Sequence, residues 1–249
     1  MNLRKKLKDL AKSILRLAGI DVTRNMRYDR LTARIIRSQL NDGDHAIDIG
    51  AHSGEILDLF LLCSPAGKHM AIEPIPALAQ GLRQKYLNRC AVIECALSNH
   101  SGTASFQMLK ADPAYSGLRR RDTGSMPPDF QELQVKVCRL DDVVDPSFPI
   151  RLVKIDVEGG EYDVLRGAPE LLKRDKPLLI FEFGKGAADR YGVRPNEMYR
   201  YLSATGYSIH TLADADLGFH TPLSSAQFEQ CFEQGSEYYF VARGLTVHS

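Results

Sequence analysis

A chain of 249 residues with 44% hydrophobic and 25% charged side chains can bury a core without disulfides or metal, which excludes a disordered, collagen-like or disulfide-stapled protein. Its 32 basic and 31 acidic residues nearly cancel, so the chain as a whole is not a polyanion binder. The charge is unevenly placed, however: the first 19 residues carry a net +5 and the remaining 230 a net −4.

In residues 1–19 the apolar positions Leu3, Leu7, Leu10, Ile14 and Leu17 recur every three or four residues, predicting a basic helix with one narrow aliphatic stripe that stops at Gly19. Three roles fit that stripe: packing on the body, self-association, and adsorption to an anionic membrane surface. Residues 28–40 read as a second helix, so residues 1–40 form an N-terminal helical extension and residues 41–249 one domain. No apolar run approaches a membrane span, and the start lacks the apolar stretch of a secretion signal. The five cysteines (Cys63, Cys90, Cys95, Cys138, Cys231) include no CxxC pair, and the expected compartment is the reducing cytoplasm.

From Asp44 onward strands and helices alternate. Strands are expected at His45–Ile49, His69–Ile72, 91–95, 151–155, 177–183, Tyr207–Thr211 and 237–242. Helices are expected at Glu55–Cys63, 77–87, from about 161, 196–204 and 225–233. This interleaving predicts an α/β fold with a doubly wound, mostly parallel sheet, and an antiparallel edge strand near the C-terminus, where no clear crossover is seen. Between the third and fourth strands lies an insertion, residues 99–140. Its segments 103–108 and 133–138 alternate like a β-hairpin around residues 111–130, which hold Tyr115, Arg119, Arg120 and Arg121. A loop that long in a compact domain is either functional or disordered.

The segment Ile47-Asp48-Ile49-Gly50-Ala51-His52-Ser53-Gly54 runs an apolar strand into D-x-G-x-x-x-G and a helix. Gly50 permits a tight turn with close approach to a ligand, and Gly54 lets the helix begin. A dinucleotide site would show G-x-G-x-x-G; here the second glycine is absent, and Asp48 repels a diphosphate while suiting a cation. Glu73, 25 positions on, ends the second strand, where an acid can accept from both hydroxyls of a ribose. Alone it reads as a loop charge. Together with Asp48, Gly50 and Gly54 it implies a ligand with a ribose, a cationic tail and no phosphate, which S-adenosyl-L-methionine satisfies. His52 would line that ligand, and Ser98 would meet the edge of its adenine or simply close a turn.

These residues resemble the FkbM family of S-adenosylmethionine-dependent methyltransferases, through Asp48 to Gly54, Ile72-Glu73-Pro74, Ala96-Leu97-Ser98 and above all Leu152-Val153-Lys154-Ile155-Asp156-Val157-Glu158-Gly159-Gly160-Glu161. Leu165-Arg166-Gly167-Ala168 and Ile180-Phe181-Glu182-Phe183 continue the resemblance, which covers roughly residues 40–212. It implies a Rossmann-like seven-stranded sheet and O-methylation of a hydroxyl on a sugar or natural product. The fourth strand brings Asp156 and Glu158 to the carboxyl edge of the sheet, where such folds bind ligands. Removal of the hydroxyl proton falls to Asp156, Glu158, Glu182 or His52, in that order, with Asp156 also facing the cofactor and Lys154 orienting a carboxylate. Glu161 reads as structural, at the positive end of a helix dipole. An alternative has Asp156, Glu158 and Glu182 hold a divalent cation; no histidine pair supports zinc.

The acceptor expected is a small molecule, with Tyr115 stacking on a sugar ring and Arg119 pairing with an acidic group, unless the arginines are only a solvated charge run. Nucleic acid is not expected, because no aromatic residues are interleaved with the arginines. Two other functions fit less well: a catalytically silent cofactor-binding scaffold, and a nucleotide-linked oxidoreductase.

Overall fold

The structure is a computed structural model that describes residues 21, 23–120 and 129–245. Its strands, in chain order, are β1 (His45–Ile49), β2 (His69–Ile72), β3 (Cys90–Ile93), β4 (Ala96–Leu97) and β5 (Gly102–Leu109). They continue with β6 (Phe130–Cys138), β7 (Ile150–Ile155), β8 (Leu178–Glu182), β9 (Tyr207–Thr211) and β10 (Tyr239–Gly244). The helices begin with α1 (Arg24–Gln39), α2 (Glu55–Cys63), α3 (Pro76–Tyr86) and α4 (Leu140–Val143). After them come α5 (Glu161–Arg166), α6 (Pro169–Asp175), α7 (Pro195–Ala204), α8 (Leu212–Leu217) and α9 (Ser225–Gln234).

Seven strands form one sheet in the order β3-β2-β1-β7-β8-β10-β9. Burial on both faces explains why β1, β7 and β8 read as near-continuous apolar runs. One face packs Ile47, Ile49, Val153, Ile155, Leu179 and Phe181 against α5, α6, α7 and α9. The other packs Ala46, Leu152, Leu178, Ile180 and Val241 against α1, α2 and α8. Helix α1 is capped by Thr23, whose hydroxyl accepts from the Met26 N–H at 3.3 Å, and it buries Tyr28, Leu31, Ile35 and Ile36 in that second layer. Residues from Thr23 onward therefore share the core of the sheet.

The antiparallel strand is not at the edge. β10 runs antiparallel to both β8 and β9 and lies between them, while the edge strand β9 is parallel to the others. The reason lies in the connection: α8 covers one face through Leu212 and Ala215, and α9 the other through Phe228 and Phe232. With a helix on each face the chain returns to the carboxyl edge it left, where Tyr239 pairs with Glu182.

The insertion is the expected hairpin with an added strand: β5 and β6 pair antiparallel from Gly102↔Val137 to Leu109↔Phe130, and β4 joins β6 in parallel. A bridge between Gln107 and Gly117 folds the following loop back over the hairpin. The basic stripe of residues 1–19 and the side chain of Arg121 lie outside the described residues. Among the described residues no helix is long and apolar enough to cross a membrane.

Candidate functional site

The alternation of side chains along each strand decides what meets at the carboxyl edge. On the α1 face, Asp48 of β1 pairs in register with Lys154 of β7, which pairs with Ile180 of β8. One row farther on stand Asp156, just past the end of β7, and the terminal pair Glu182↔Tyr239 of β8 and β10. An apolar row deep in the sheet thus gives way to a charged row at its rim.

The loop after β1 closes tightly. Gly50 has φ +79°, its N–H donates to the Ile72 carbonyl at 2.9 Å, and a Cβ there would run into the Asp156 carbonyl oxygen. Gly50 is thus needed for the approach of β1 to the β7 loop. Gly54, at φ +82°, starts α2, and the Tyr86 hydroxyl donates to its carbonyl at 2.6 Å. His52 also has a positive φ of 46°. Its N–H donates to Glu73 Oε2 at 2.9 Å, and the Ile75 N–H donates to Glu73 Oε1 at 2.9 Å. Glu73 is therefore a brace between two loops as well as a wall of the site. Burial pushes its carboxyl up to about 7 despite those two N–H donors.

Glu73, Gly50, His52, Asp156 and Glu158 line a cavity, with Phe106, Ser116 and Leu118 of the insertion on its other side. Cys95, Ala96 and Leu97 line its far end, but Ser98 does not: it is buried with its N–H on the Cys138 carbonyl and its hydroxyl 3.4 Å from His100 Nδ1. Gly54 and Asp48 also lie outside this cavity. Asp48 faces a second, wider cleft that shares Gly50, His52, Asp156 and Glu158 with the first. Asp48 is 1% exposed, its Oδ1 has no hydrogen-bond partner, and burial pushes its carboxyl up to about 6, opposed by Lys154 and reinforced by Asp156.

Asp156 is held differently. Burial alone would raise its pKa, but the Lys154 ammonium 2.9 Å from Oδ2 and the Tyr239 hydroxyl donating to the same oxygen bring it below the ordinary value. Burial would likewise lower Lys154, yet Asp156 and Asp48 keep it raised, so the pair is a buried ammonium against a half-buried carboxylate. Burial and the surrounding carboxylates push Tyr239 well up, which keeps it a donor. Asp156, Glu158 and Glu182 offer oxygens within 4.8 Å of one another. As a divalent-cation site this set is compromised, because Lys154 and Tyr239 already engage Asp156 Oδ2.

Glu161 is structural, as its position at the head of α5 suggested. Its Oε1 accepts from the N–H groups of Val157 at 3.0 Å and Gly159 at 3.1 Å, fixing the loop that carries Glu158 at φ +58°. Tyr115 is 40% exposed and lines the wide cleft. Arg119 lines neither space: it donates to the Arg190 carbonyl at 2.8 Å and lies 5.3 Å over the Tyr191 ring, tying the insertion to the body. Arg120 likewise turns to Gln107 Oε1 at 2.9 Å.

Sequence reasoning passed over Tyr239, Tyr191 and Tyr28. Tyr191 walls the cavity, and the rings of Tyr28 and Tyr239 stand 5.4 Å apart in the cleft. The only available signal was the aromatic pair Tyr238-Tyr239 at the head of a strand; nothing local marks Tyr28.

The profile of the family described as "Methyltransferase FkbM domain" matches residues 48–209. A curated relative, 2-O-methyltransferase NoeI of Sinorhizobium fredii (strain NBRC 101917 / NGR234), is 29% identical over 159 residues, covering 57% of this chain and 65% of that one. The solved methyltransferase FkbM of Methylobacillus flagellatus KT superposes with TM-score 0.50 and 18% identity, over 82% of this chain and 44% of that one. The chain thus spans less than two thirds of either relative's length, and the solved likeness establishes the fold.

Proposed function

The chain belongs to the FkbM methyltransferase family, and on that premise we propose that it transfers a methyl group from S-adenosyl-L-methionine to a hydroxyl of a small, sugar-like acceptor. What carries this reading is that Glu73 and Asp156, from opposite sides of β1, wall one cavity at the carboxyl edge of the sheet. Bound there, the cofactor supplies an electrophilic methyl on a sulfonium. The donor set fits it. Each oxygen of Glu73 keeps a lone pair for a ribose hydroxyl beyond its backbone N–H, and the unpartnered oxygen of buried Asp48 suits a cationic tail. The relative's printed activity, 2-O-methylation, supports oxygen as the atom methylated.

In this reading Glu158 accepts the acceptor's proton. It lines both the cavity and the cleft, whereas Asp156 Oδ2 is engaged by Lys154 and Tyr239, and Glu182 lines the cleft alone. Asp156 acts as a fixed negative charge, and Lys154 with Tyr239 holds it in place. Holding the hydroxyl in line with the methyl supplies on the order of 7–11 kcal/mol, and a positioned base adds about 10²–10⁴-fold in rate. Tyr115, in the cleft, stacks on the acceptor ring. A divalent cation is not part of the mechanism, nor is a nucleic acid acceptor.

Calorimetric titration with S-adenosylhomocysteine tests the reading: saturable binding is expected, lost in Glu73→Ala. Absence of binding at millimolar ligand overturns it. Glu158→Gln is expected to lower kcat by about 10²-fold or more while leaving that binding within a few-fold.

A further inference from the structure

Between β8 and α7 the chain folds into a tight knuckle, residues 184–192, ending in a single 3-10 turn (Ala188–Tyr191). The Ala188 N–H donates to the Gly184 carbonyl at 3.1 Å, and the Gly186 N–H to Asp189 Oδ1 at 2.7 Å. The Arg190 N–H donates to the Ala187 carbonyl and the Gly192 N–H to the Asp189 carbonyl, each at 3.0 Å. Ala187 and Ala188 are buried, so the knuckle is anchored as well as internally bonded. It presses on the loop that carries Glu158. A Cβ on Gly159, at φ +105°, would run into the Ala187 carbonyl at 2.5 Å, and a Cβ on Gly160 would stand 3.4 Å from the Tyr191 ring. A Cβ on Gly117 of the insertion would stand 3.4 Å from the Tyr191 hydroxyl oxygen and 3.6 Å from the Glu158 Cβ. The knuckle, the Glu158 loop and the insertion therefore meet around Tyr191. The N–H groups of Leu118 and Arg119 point at its hydroxyl, and Arg119 lies over its ring. Glu158 itself sits at φ +58°, which a glutamate keeps only where its neighbours over-determine it. Glu161 supplies one restraint through the Val157 and Gly159 N–H groups; the Tyr191 ring against Gly160 supplies a second.

We propose that Tyr191 is a positioning residue for methyl transfer: its ring, braced by the knuckle, holds the loop so that Glu158 faces the acceptor's proton. This rests on the methyl-transfer reading and adds to it a residue that acts through Glu158. A base must stay within hydrogen-bond reach of the proton it takes, so a loop that relaxes forfeits rate. The ring positions by packing, while the hydroxyl seats the insertion. Glu158→Gln and the loss of this brace thus remove the same function by different routes.

The test needs no acceptor. Full-length protein carrying carbon-13 at its glutamate carboxyls gives a Glu158 signal, identified by its loss in Glu158→Gln, and amide hydrogen exchange is followed alongside. In Tyr191→Leu the Glu158 signal is expected to move and the amides of 157–160 to exchange about tenfold faster, with those of β1 and β8 within about twofold. Tyr191→Phe keeps the ring, so the signal is expected to stay in place and exchange at 157–160 to remain within about threefold. An unmoved Glu158 signal in Tyr191→Leu overturns the proposal. So does a Tyr191→Phe variant that behaves like Tyr191→Leu, or faster exchange spread over β1 and β8, which marks a merely structural residue. Each of these leaves the methyl-transfer reading standing. Failure of the unsubstituted protein to bind S-adenosylhomocysteine removes that reading, and the role of Tyr191 with it, whatever the signal does.

Discussion

Under the proposed function Glu73 carries two duties that the sequence alone did not join. Its position at the end of the second strand marked it as a ribose ligand, but the structure adds two backbone N–H donors, from His52 and Ile75. Glu73→Ala is therefore expected to cost stability, on the order of 1–3 kcal/mol for buried donors left unpaired, as well as cofactor affinity; Glu73→Gln should keep more of both. Thermal melts and calorimetry on the two variants check this. The raised carboxyls also set a pH dependence. Asp48 at about 6, with Glu73 and Glu161 at about 7, prefer to be neutral in the folded state, where the unfolded chain would ionise them near pH 4. The folded state then binds more protons than the unfolded one, so the unliganded protein loses stability as pH rises from about 4 to about 7. Binding a cationic nucleoside favours the ionised carboxylates, so its affinity should rise over pH 6–7 with proton release, measured by calorimetry in two buffers. Tyr239→Phe removes a donor to Asp156, so that group's pKa is expected to rise and the acid limb of the kcat profile to move to higher pH, because a protonated Asp156 no longer supplies its fixed negative charge. Asp48, Asp156 and Glu158 were legible because strand ends and glycines flank them. Tyr239 and Tyr28 were not, since 211 residues separate them and only the sheet order brings them together.

At the level of elements, the strands were legible from their apolar runs, and β9 matches its expected bounds. The order of the last two was not, because no local pattern reveals that α8 and α9 lie on opposite faces. The insertion shows a similar divide. Its alternating arms predicted a hairpin, whereas the parallel joining of β4 depends on two residues, Ala96 and Leu97, that no period can flag. Arg119 was read as an acceptor ligand because arginine clusters suit anions; its partners turned out to be a carbonyl and a ring on the body. Arg119→Ala is expected to weaken S-adenosylhomocysteine by about three- to tenfold, the worth of one cation–π contact and one hydrogen bond, with little change in melting temperature. Calorimetry and thermal melts on that variant separate this tethering role from a catalytic one, which would change kcat instead.

On the scale of the whole molecule, the core among the described residues takes in α1 from Thr23 onward, since the helix is capped there and buries its apolar face against β1, β7 and β8. Removing residues 1–19 is therefore expected to leave S-adenosylhomocysteine affinity within about twofold; a loss of self-association or of vesicle binding would then report what the basic stripe does. The position of β10 matters in another way. Strands β8 and β9 have no ladder between them until residues 239–244 slot in, so a nascent chain keeps both edges bare until β10 has emerged. The same late arrival delivers the phenol that secures Asp156. The anchoring of Asp156 is thereby coupled to the closing of the sheet, and a polypeptide cut before β10 would expose two strand edges and lack that phenol.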